Sequence, residues 1–357
     1  MLAAGGAQAA GGALDPGFGT GGKVLTHFGS SSDDKSYAVA IQPDGKIVVA
    51  GYSSANGSYD FALARYTRSG ALDPGFGTGG KVLTDFGSSS SDGASAVAIR
   101  PDGKIVVAGS SDANGTYDFA LGRYRKSGAL DRRFGTGGKV LTHFGSSSDD
   151  LADAVAIQPD GKIVVAGSSD ANGSTDFALA RYTKSGALDA GFGTGGKVLT
   201  DLGSTDVASA VAVQPDGKIV VAGFSDANGS SDFALARYTK SGALNQRFGA
   251  GGKVLTDLGS SSDDRADAVA IQPDGKIVAT GSSNANGSTD FALARYRKSG
   301  ALNRGFGRGG KVLTDFGHSS SEAASAVAVQ SDGKIVVAGS SDVNGSNDFA
   351  LARYRGR

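Results

Sequence analysis

The chain has 357 residues, in which 35 lysines and arginines balance 35 aspartates and glutamates, so its formal net charge is zero. This balance gives no reason to expect a nucleic acid or an anionic lipid surface as partner. The absence of cysteine excludes disulfides and thiolate metal sites, and no stretch approaches the roughly 18 consecutive apolar residues that membrane insertion as a helix requires.

Residues 1–11 differ in character from everything that follows. They contain Ala7-Gln8-Ala9, which resembles the end of a signal peptide, but a basic start and a long apolar segment are missing. We interpret residues 1–11 as a tail, either the remnant of an export signal or a linker. Residues 12–357 are assigned to a single domain.

One turn recurs six times along that domain. The segment QPDGK at residues 42–46 has five later copies, centred on Pro101, Pro159, Pro215, Pro273 and Ser331. The copies follow one another at intervals of 56 or 58 residues, so one supersecondary unit has been repeated with almost no drift. A periodic chain of this kind can form one large body instead of several domains.

Four strands are predicted in each repeat, as the second repeat illustrates. Residues 95–100 (SAVAIR) form the first strand and lead into Pro-Asp-Gly, which favours a tight turn. The second strand covers residues 104–109 (KIVVAG), and an Asn-Gly turn separates it from the third, residues 118–124 (DFALGRY). A glycine-rich loop then leads to the fourth strand, residues 139–144 (KVLTHF).

Four short antiparallel strands in each of six repeats predict an all-β fold, a six-bladed β-propeller. A parallel β-helix is the alternative, but Pro-Asp-Gly turns favour hairpins. The chain starts with a spare fourth-strand segment at residues 22–28 and finishes on a third strand at residues 348–354. We therefore expect these two segments to pair, which would complete the sixth blade and close the ring without a free edge.

Three sequence motifs of the repeat resemble a known family. The segments GALDPGFGTGGKVLT, AVAIQPDGKIVVAG and DFALARY are similar to the delta-60 repeat, a bacterial β-propeller repeat of about the same length. The resemblance covers residues 12–354. It implies a secreted or cell-surface bacterial protein, often a large one in which the propeller is one part, and it implies no particular activity.

Residues that recur in every repeat are predicted to build the fold. Each repeat has a phenylalanine in its glycine-rich loop and an Arg-Tyr pair at the end of its third strand, for example Phe134, Arg123 and Tyr124. We expect the aromatic rings to pack between blades. Each arginine should bond within its own blade or to the neighbouring one; the alternative is a ring of arginines that binds a polyanion.

The loops divide between the two ends of the propeller. In the second repeat, residues 110–117 and 145–150 share one end, which is rich in aspartate and serine and which we name the acidic end. The opposite end carries the Pro-Asp-Gly-Lys turns and is more basic. By resemblance to other propellers, we expect a ligand at the acidic end.

The loop before each third strand is a candidate calcium site. Its alternating aspartate and asparagine oxygens resemble the calcium loops of FG-GAP-type propellers, because Ca²⁺ prefers six to eight oxygen ligands. The alternative is an Asn-Gly turn in which the aspartates cap backbone N–H groups. Calcium is the one cofactor that the sequence suggests. The candidate ligands are Asp112, Asn114, Asp118, Asp170, Asn172 and Asp176.

Departures from the repeat mark a second candidate site. A variable position near the start of the first strand holds Asp153 and Asp267 in repeats three and five, where we expect them at the mouth of the central channel. Tyr37, Tyr52 and Tyr59 gather in repeat one and should all open onto the acidic end. Aromatic rings beside carboxylates suit a carbohydrate or a protein ligand. The alternative is that these positions contact only solvent.

No catalytic motif stands out in the sequence. It has neither a Gly-x-Ser-x-Gly elbow nor a His-Glu-x-x-His pair. Near-identical repeats present near-identical carboxylates, whereas acid–base catalysis needs carboxylates of different pKa. We therefore predict a non-catalytic binding or structural module that is monomeric. The alternative is a glycan-acting hydrolase or lyase that uses aspartates of the acidic end, with or without calcium.

Overall fold

The computed structural model describes residues 14–317, 320–343, 345–346 and 348–356, in which all regular structure is β-strand. The tail at residues 1–11 therefore lies outside the described residues. Blades one and two contain β1 (Asp34–Ile41), β2 (Ile47–Ser53), β3 (Asp60–Tyr66), β4 (Lys81–Thr84), β5 (Asp92–Ile99), β6 (Ile105–Ser111), β7 (Asp118–Tyr124) and β8 (Lys139–Thr142). Blades three and four contain β9 (Asp150–Ile157), β10 (Ile163–Ser169), β11 (Asp176–Tyr182), β12 (Lys197–Thr200), β13 (Asp206–Val213), β14 (Ile219–Ser225), β15 (Asp232–Tyr238) and β16 (Lys253–Thr256). Blades five and six contain β17 (Asp264–Ile271), β18 (Ile277–Ser283), β19 (Asp290–Tyr296), β20 (Lys311–Thr314), β21 (Glu322–Val329), β22 (Ile335–Ser341) and β23 (Asp348–Tyr354).

Each blade is an antiparallel sheet whose strands lie in sequence order, so the predicted six-bladed β-propeller is confirmed. The first strands of successive blades pack against one another from β1 to β21, which places them innermost and the fourth strands at the rim. No helix in the described part of the chain is long and apolar enough to cross a membrane.

The predicted pairing of the chain ends needs a correction. The sixth blade has three strands, β21–β22–β23, and in the described residues β23 pairs with β22 alone. Residues 23–28 do not form a strand along its edge. Both surfaces that closure would cover are exposed: Leu351 on β23 is 68% exposed and Leu25 is 90% exposed.

Blade one nevertheless holds the N-terminal segment. The Tyr66 hydroxyl donates to Thr26 Oγ1 over 2.8 Å, and the Lys81 ammonium donates to the His27 carbonyl over 2.7 Å. The same two contacts recur one blade later, where Tyr124 bonds Thr84 and Lys139 bonds the Asp85 carbonyl. The segment thus occupies the place of a preceding blade's fourth strand, while β23 lies elsewhere.

A β-bulge interrupts every first strand at the same point. In blade two, Ala94 pairs with Gly109 and Ala96 pairs with Ala108, which leaves Ser95 as the extra residue. Gly109 faces this bulge so closely that a Cβ atom there would lie 1.9 Å from the Gly93 carbonyl oxygen. The glycine in each KIVVAG-type strand is therefore required by a close backbone approach.

The hydrophobic core lies between blades, as the repeated aromatic residues predicted. At the junction of blades two and three, Phe119 and Phe134 of blade two pack in one buried cluster with Ile163 and Tyr182 of blade three. The Tyr182 hydroxyl donates to Thr142 Oγ1 of the preceding blade over 2.9 Å, so the buried phenol is satisfied. Burying each blade against its neighbour makes the junctions the main source of stability.

The repeated arginines also act within the fold, in agreement with the first of the two predictions. Arg123 is 4% exposed, and its Nε and Nη2 lie 3.0 Å and 2.9 Å from the Asp131 carboxylate. Its guanidinium stacks 4.5 Å from the centre of the Phe134 ring, and its Nη1 donates to the Lys184 carbonyl of the next blade. The ion pair thus fixes the arginine within blade two, and the bond to the Lys184 carbonyl ties this blade to the next.

Candidate functional site

The loops meet at the two ends as predicted. In blade two, the Asp112 carboxylate at the start of the β6–β7 loop accepts a hydrogen bond from the Ser91 backbone N–H over 2.7 Å. Ser91 belongs to the segment between β4 and β5, so both kinds of loop lie at the acidic end. At the opposite end, Arg68 donates to the carbonyl of Asp44 in a Pro-Asp-Gly-Lys turn.

Three tyrosines form one cluster at the acidic end of blade one, which brings together the residues that sequence reasoning grouped. The ring centres of Tyr37 and Tyr52 are 5.9 Å apart, and those of Tyr52 and Tyr59 are 4.8 Å apart in an edge-to-face arrangement. Tyr37 is 61% exposed and Tyr59 is 41% exposed. We name this set the tyrosine cluster.

A cation borders the tyrosine cluster. The Lys35 ammonium lies 5.9 Å from the centre of the Tyr52 ring, and its contact with the Tyr52 hydroxyl raises the pKa of the lysine. Aromatic faces beside a hydrogen-bond donor can hold a sugar or a flat polar group by stacking and by charge-assisted hydrogen bonds. The cluster is therefore a surface suited to binding.

The variable position near the start of each first strand is the bulge residue. The six bulge residues are Tyr37, Ser95, Asp153, Ser209, Asp267 and Ser325. They lie on the innermost strands, as the predicted placement at the channel required. Burial raises the pKa of Asp153 to about 7, whereas Asp267, at the same position of blade five, is exposed to solvent.

Replacing Asp153 by asparagine should make stability less dependent on pH. In the folded protein the carboxyl keeps its proton up to a pKa of about 7, whereas an unfolded aspartate loses it near 3.8. The free energy of unfolding of the wild type therefore falls as the pH rises from about 4 to 7. At pH 8, Asp153→Asn should be more stable by about 1–4 kcal/mol, and at pH 4 the two should be equal.

Thermal unfolding at pH 4, 5, 6, 7 and 8 measures this effect. Ser209→Asn, at the bulge of blade four, is the matched control and should change the melting temperature equally at every pH. A constant difference between Asp153→Asn and wild type across the series would contradict the raised pKa.

The six predicted calcium ligands lie in loops whose side chains bond to protein groups. The Asn114 amide donates to Asp118 Oδ2 over 2.7 Å, and the Asn172 amide donates to Asp176 Oδ2 over 2.9 Å. The first aspartate of each of these two loops, Asp112 or Asp170, is not part of the bonded Asn–Asp pair and instead caps the neighbouring loop. Thus Asp112 accepts from Ser91 N–H, and Asp170 accepts from Asp149 N–H over 2.9 Å.

Other groups of carboxylates, which sequence reasoning did not assemble, meet at the junctions between blades, and one of them includes Asp176 of the predicted loops. At four of the five junctions, three acidic residues place ligand atoms within 4.8 Å of one another. We name these the interblade clusters. They are Asp60/Asp85/Asp92, Asp176/Asp201/Asp206, Asp232/Asp257/Asp264 and Asp290/Asp315/Glu322. The signal was present in the aspartate that follows four of the five described fourth strands, but its partners come from two different blades.

Comparison with known families agrees with this architecture. Residues 42–76, 100–134, 158–192, 214–248, 272–306 and 330–355, more than half of the chain, match a family described as "Domain of unknown function (DUF5122) beta-propeller". The chain belongs to this family. The match supports a β-propeller repeat family, while the delta-60 assignment made from the motifs stays a prediction.

Solved structures similar to this DUF5122 propeller share only its fold. Sqt1 from Chaetomium thermophilum is 15% identical, with a TM-score of 0.47 and coverage of 90% of this chain and 72% of that one. Polysaccharide lyase Uly1 is 12% identical, with a TM-score of 0.41 and coverage of 89% and 81%. The exo-β-1,3-galactanase 1,3Gal43A from Clostridium thermocellum is 12% identical, with a TM-score of 0.40 and coverage of 95% and 76%. No curated protein matches the chain.

Proposed function

We propose that this DUF5122 propeller is a non-catalytic binding module that holds a carbohydrate at the acidic end of blade one. The tyrosine cluster carries the proposal, because its three rings contact one another, two of them are well exposed, and the set is found in blade one alone. Rigid aromatic rings provide contact area at low conformational cost.

The neighbouring blades show what the same positions look like without this feature. The counterparts of Tyr37 in blades two, four and six are serines, and so are most counterparts of Tyr52. The fold therefore does not need aromatic residues there. The Tyr59 carbonyl accepts from the Asp92 N–H of blade two, and a Cβ atom built on the next residue, Gly93, would meet no heavy atom within 4 Å.

The test is binding to an array of oligosaccharides by the wild-type chain and a triple variant. Tyr37→Ser, Tyr52→Ser and Tyr59→Ser together install a residue that other blades already carry, so the variant should keep the wild-type melting temperature. We expect it to lose at least tenfold in affinity for every sugar that the wild type binds. Tyr117→Ser, a tyrosine outside the cluster, is the control and should bind normally.

Two outcomes would contradict the proposal. One is equal binding by the wild type and the triple variant, which would place the sugar elsewhere. The other is the absence of any sugar bound by the wild type, after which a panel of peptides would test whether the same rings bind a protein segment. In keeping with the delta-60 resemblance, we also propose that the module works outside a bacterial cell or on its surface.

One observation favours the alternative function, cleavage of a glycan. A carboxyl group with a pKa of about 7, such as that of Asp153, keeps a proton near neutral pH and can serve as a general acid. If the chain released sugars from an oligosaccharide and Asp153→Asn abolished this release, the module would be an enzyme. Unchanged oligosaccharides after long incubation would leave the binding function.

A further inference from the structure

The interblade clusters combine burial with missing partners. At the first junction, Asp60 and Asp92 are fully buried, and each has one oxygen bonded to a neighbour: Asp60 Oδ2 to the Asn56 amide and Asp92 Oδ2 to the Phe86 N–H, both at 2.7 Å. The second oxygen of each, Oδ1, has no hydrogen-bond partner. A buried carboxylate oxygen without a partner is costly, so a ligand that satisfies both is expected.

No protein cation fills this role. In the described part of the chain, no lysine, arginine or histidine forms an ion pair with the nine carboxylates of the three all-aspartate clusters. At the first cluster, the Lys139 ammonium donates to the backbone carbonyl of Asp85, not to a carboxylate. Burial raises the pKa of Asp60 and of Asp92, and the charge of Asp85 raises both further.

The set of donors is that of a hard cation. Each all-aspartate cluster has two buried carboxylates from adjacent blades and a third, exposed aspartate after the fourth strand, such as Asp85. The Ser111 hydroxyl lies close enough to Asp92 to lower the pKa of that carboxyl, although it makes no hydrogen bond to Oδ1. Carboxylate, hydroxyl and water oxygens in a flexible arrangement are what Ca²⁺ prefers, whereas Mg²⁺ demands a tighter octahedron.

We propose that the interblade clusters are calcium sites that fasten neighbouring blades to each other. In each site the two buried carboxylates contribute one oxygen each from the two blades, and the exposed aspartate closes the site toward solvent. The ion would neutralise carboxylates at a place where the backbones already meet, since the Asp92 N–H donates to the Tyr59 carbonyl over 2.7 Å.

One junction provides a natural variant of the site. Between blades two and three, Asp118 and Asp150 occupy the two buried positions and again have an unpartnered Oδ1 each, but His143 replaces the exposed aspartate. This junction does not bring three acidic ligand atoms together. An imidazole is a poor ligand for calcium compared with a carboxylate. Because blade two has His143 where blade one has Asp85, histidine and aspartate are both compatible with the fold at this position.

The experiment counts calcium ions bound by the full chain after dialysis against a chelator. Isothermal titration with CaCl₂ at pH 7.5 should give four ions per chain. Asp85→His copies the natural His143 junction and should reduce the number to three, whereas His143→Asp should raise it to five. Calcium should also raise the melting temperature saturably, because a ligand bound only by the folded state stabilises it.

Asp112→Ser separates these clusters from the loops before the third strands. Blade one already has Ser54 at the corresponding position, where its hydroxyl accepts from the Asp33 N–H, so this variant should fold and still bind four ions. A loss of one ion in Asp112→Ser with none in Asp85→His would assign calcium to the loops and overturn the proposal. It would also be overturned if Mg²⁺ bound equally well. A third outcome would also overturn the proposal: calcium has no effect on the melting temperature, while a lower pH raises it. Protons would then neutralise the clusters in place of calcium.

Discussion

Replacing Gly109 by alanine should destabilise the propeller by at least about 3 kcal/mol, the range of severe core substitutions. The new Cβ atom would lie 1.9 Å from the Gly93 carbonyl oxygen and 2.8 Å from Ala94 Cα, both parts of the backbone, which cannot move away without breaking the β5–β6 ladder. Unfolding in guanidinium chloride, followed by circular dichroism, measures the loss.

Gly93 is the matched control for this substitution. It pairs with Ser110, the residue after Gly109, yet a Cβ atom built on it meets nothing within 4 Å, and blade six carries Ala323 at the same position. Gly93→Ala should therefore change the free energy of unfolding by less than about 0.5 kcal/mol. Similar losses in the two variants would show that the close approach at the bulge does not limit the residue at 109.

Replacing Arg123 by alanine should cost about 3–5 kcal/mol, because it removes the buried guanidinium that neutralises a buried carboxylate. Asp131 is 2% exposed and would keep its 3.0 Å ion pair with the partly exposed Lys104 and a 3.3 Å hydrogen bond from the Arg133 N–H. The variant would also lose the stacking on Phe134 and the bond to the Lys184 carbonyl of blade three. Arg125→Ala, an exposed arginine two residues later, should change stability by less than about 0.5 kcal/mol.

Blades four and five allow the same interaction to be tested by gain instead of loss. There the aspartate is replaced by Asn245 and Asn303, and the Nε atoms of Arg237 and Arg295 are buried without a partner. Asn245→Asp should restore the ion pair and stabilise the chain by about 1 kcal/mol. A destabilised Asn245→Asp together with a neutral Arg123→Ala would show that the ion pair does not stabilise the fold.

The strands were the part of the fold most open to sequence reasoning. The third strand is found at the predicted residues, 118–124, because its apolar residues are bounded by an Asn-Gly turn and a glycine-rich loop. The first strand begins at Asp92, three residues earlier than predicted, because the bulge at Ser95 disturbs the alternation of side chains. The close approach that requires Gly109 depends on this bulge and was not visible in a repeat read by itself.

The candidate sites also differ in whether their residues belong to one blade or meet only through the packing of two. The tyrosine cluster could be predicted because Tyr37, Tyr52 and Tyr59 belong to one blade and strand order places them at one end. The interblade clusters could not, because Asp60 and Asp92 are 32 residues apart and meet only through the packing of two sheets. The open sixth blade depends likewise on how distant blades are arranged, which the repeat does not encode.

The bulge in each first strand also separates selection for stability from selection for the chemistry of one side chain. The bulge residue takes no part in the regular pairing of the ladder, so tyrosine, serine and aspartate can exchange there, while the next residue is alanine in every blade and the preceding one is alanine in five of the six. A repeat copied for its stability can thus change its chemistry one blade at a time, by single substitutions at equivalent places. Each blade thus carries one side chain that can be exchanged, and a new binding specificity can arise without any change in the hydrophobic core.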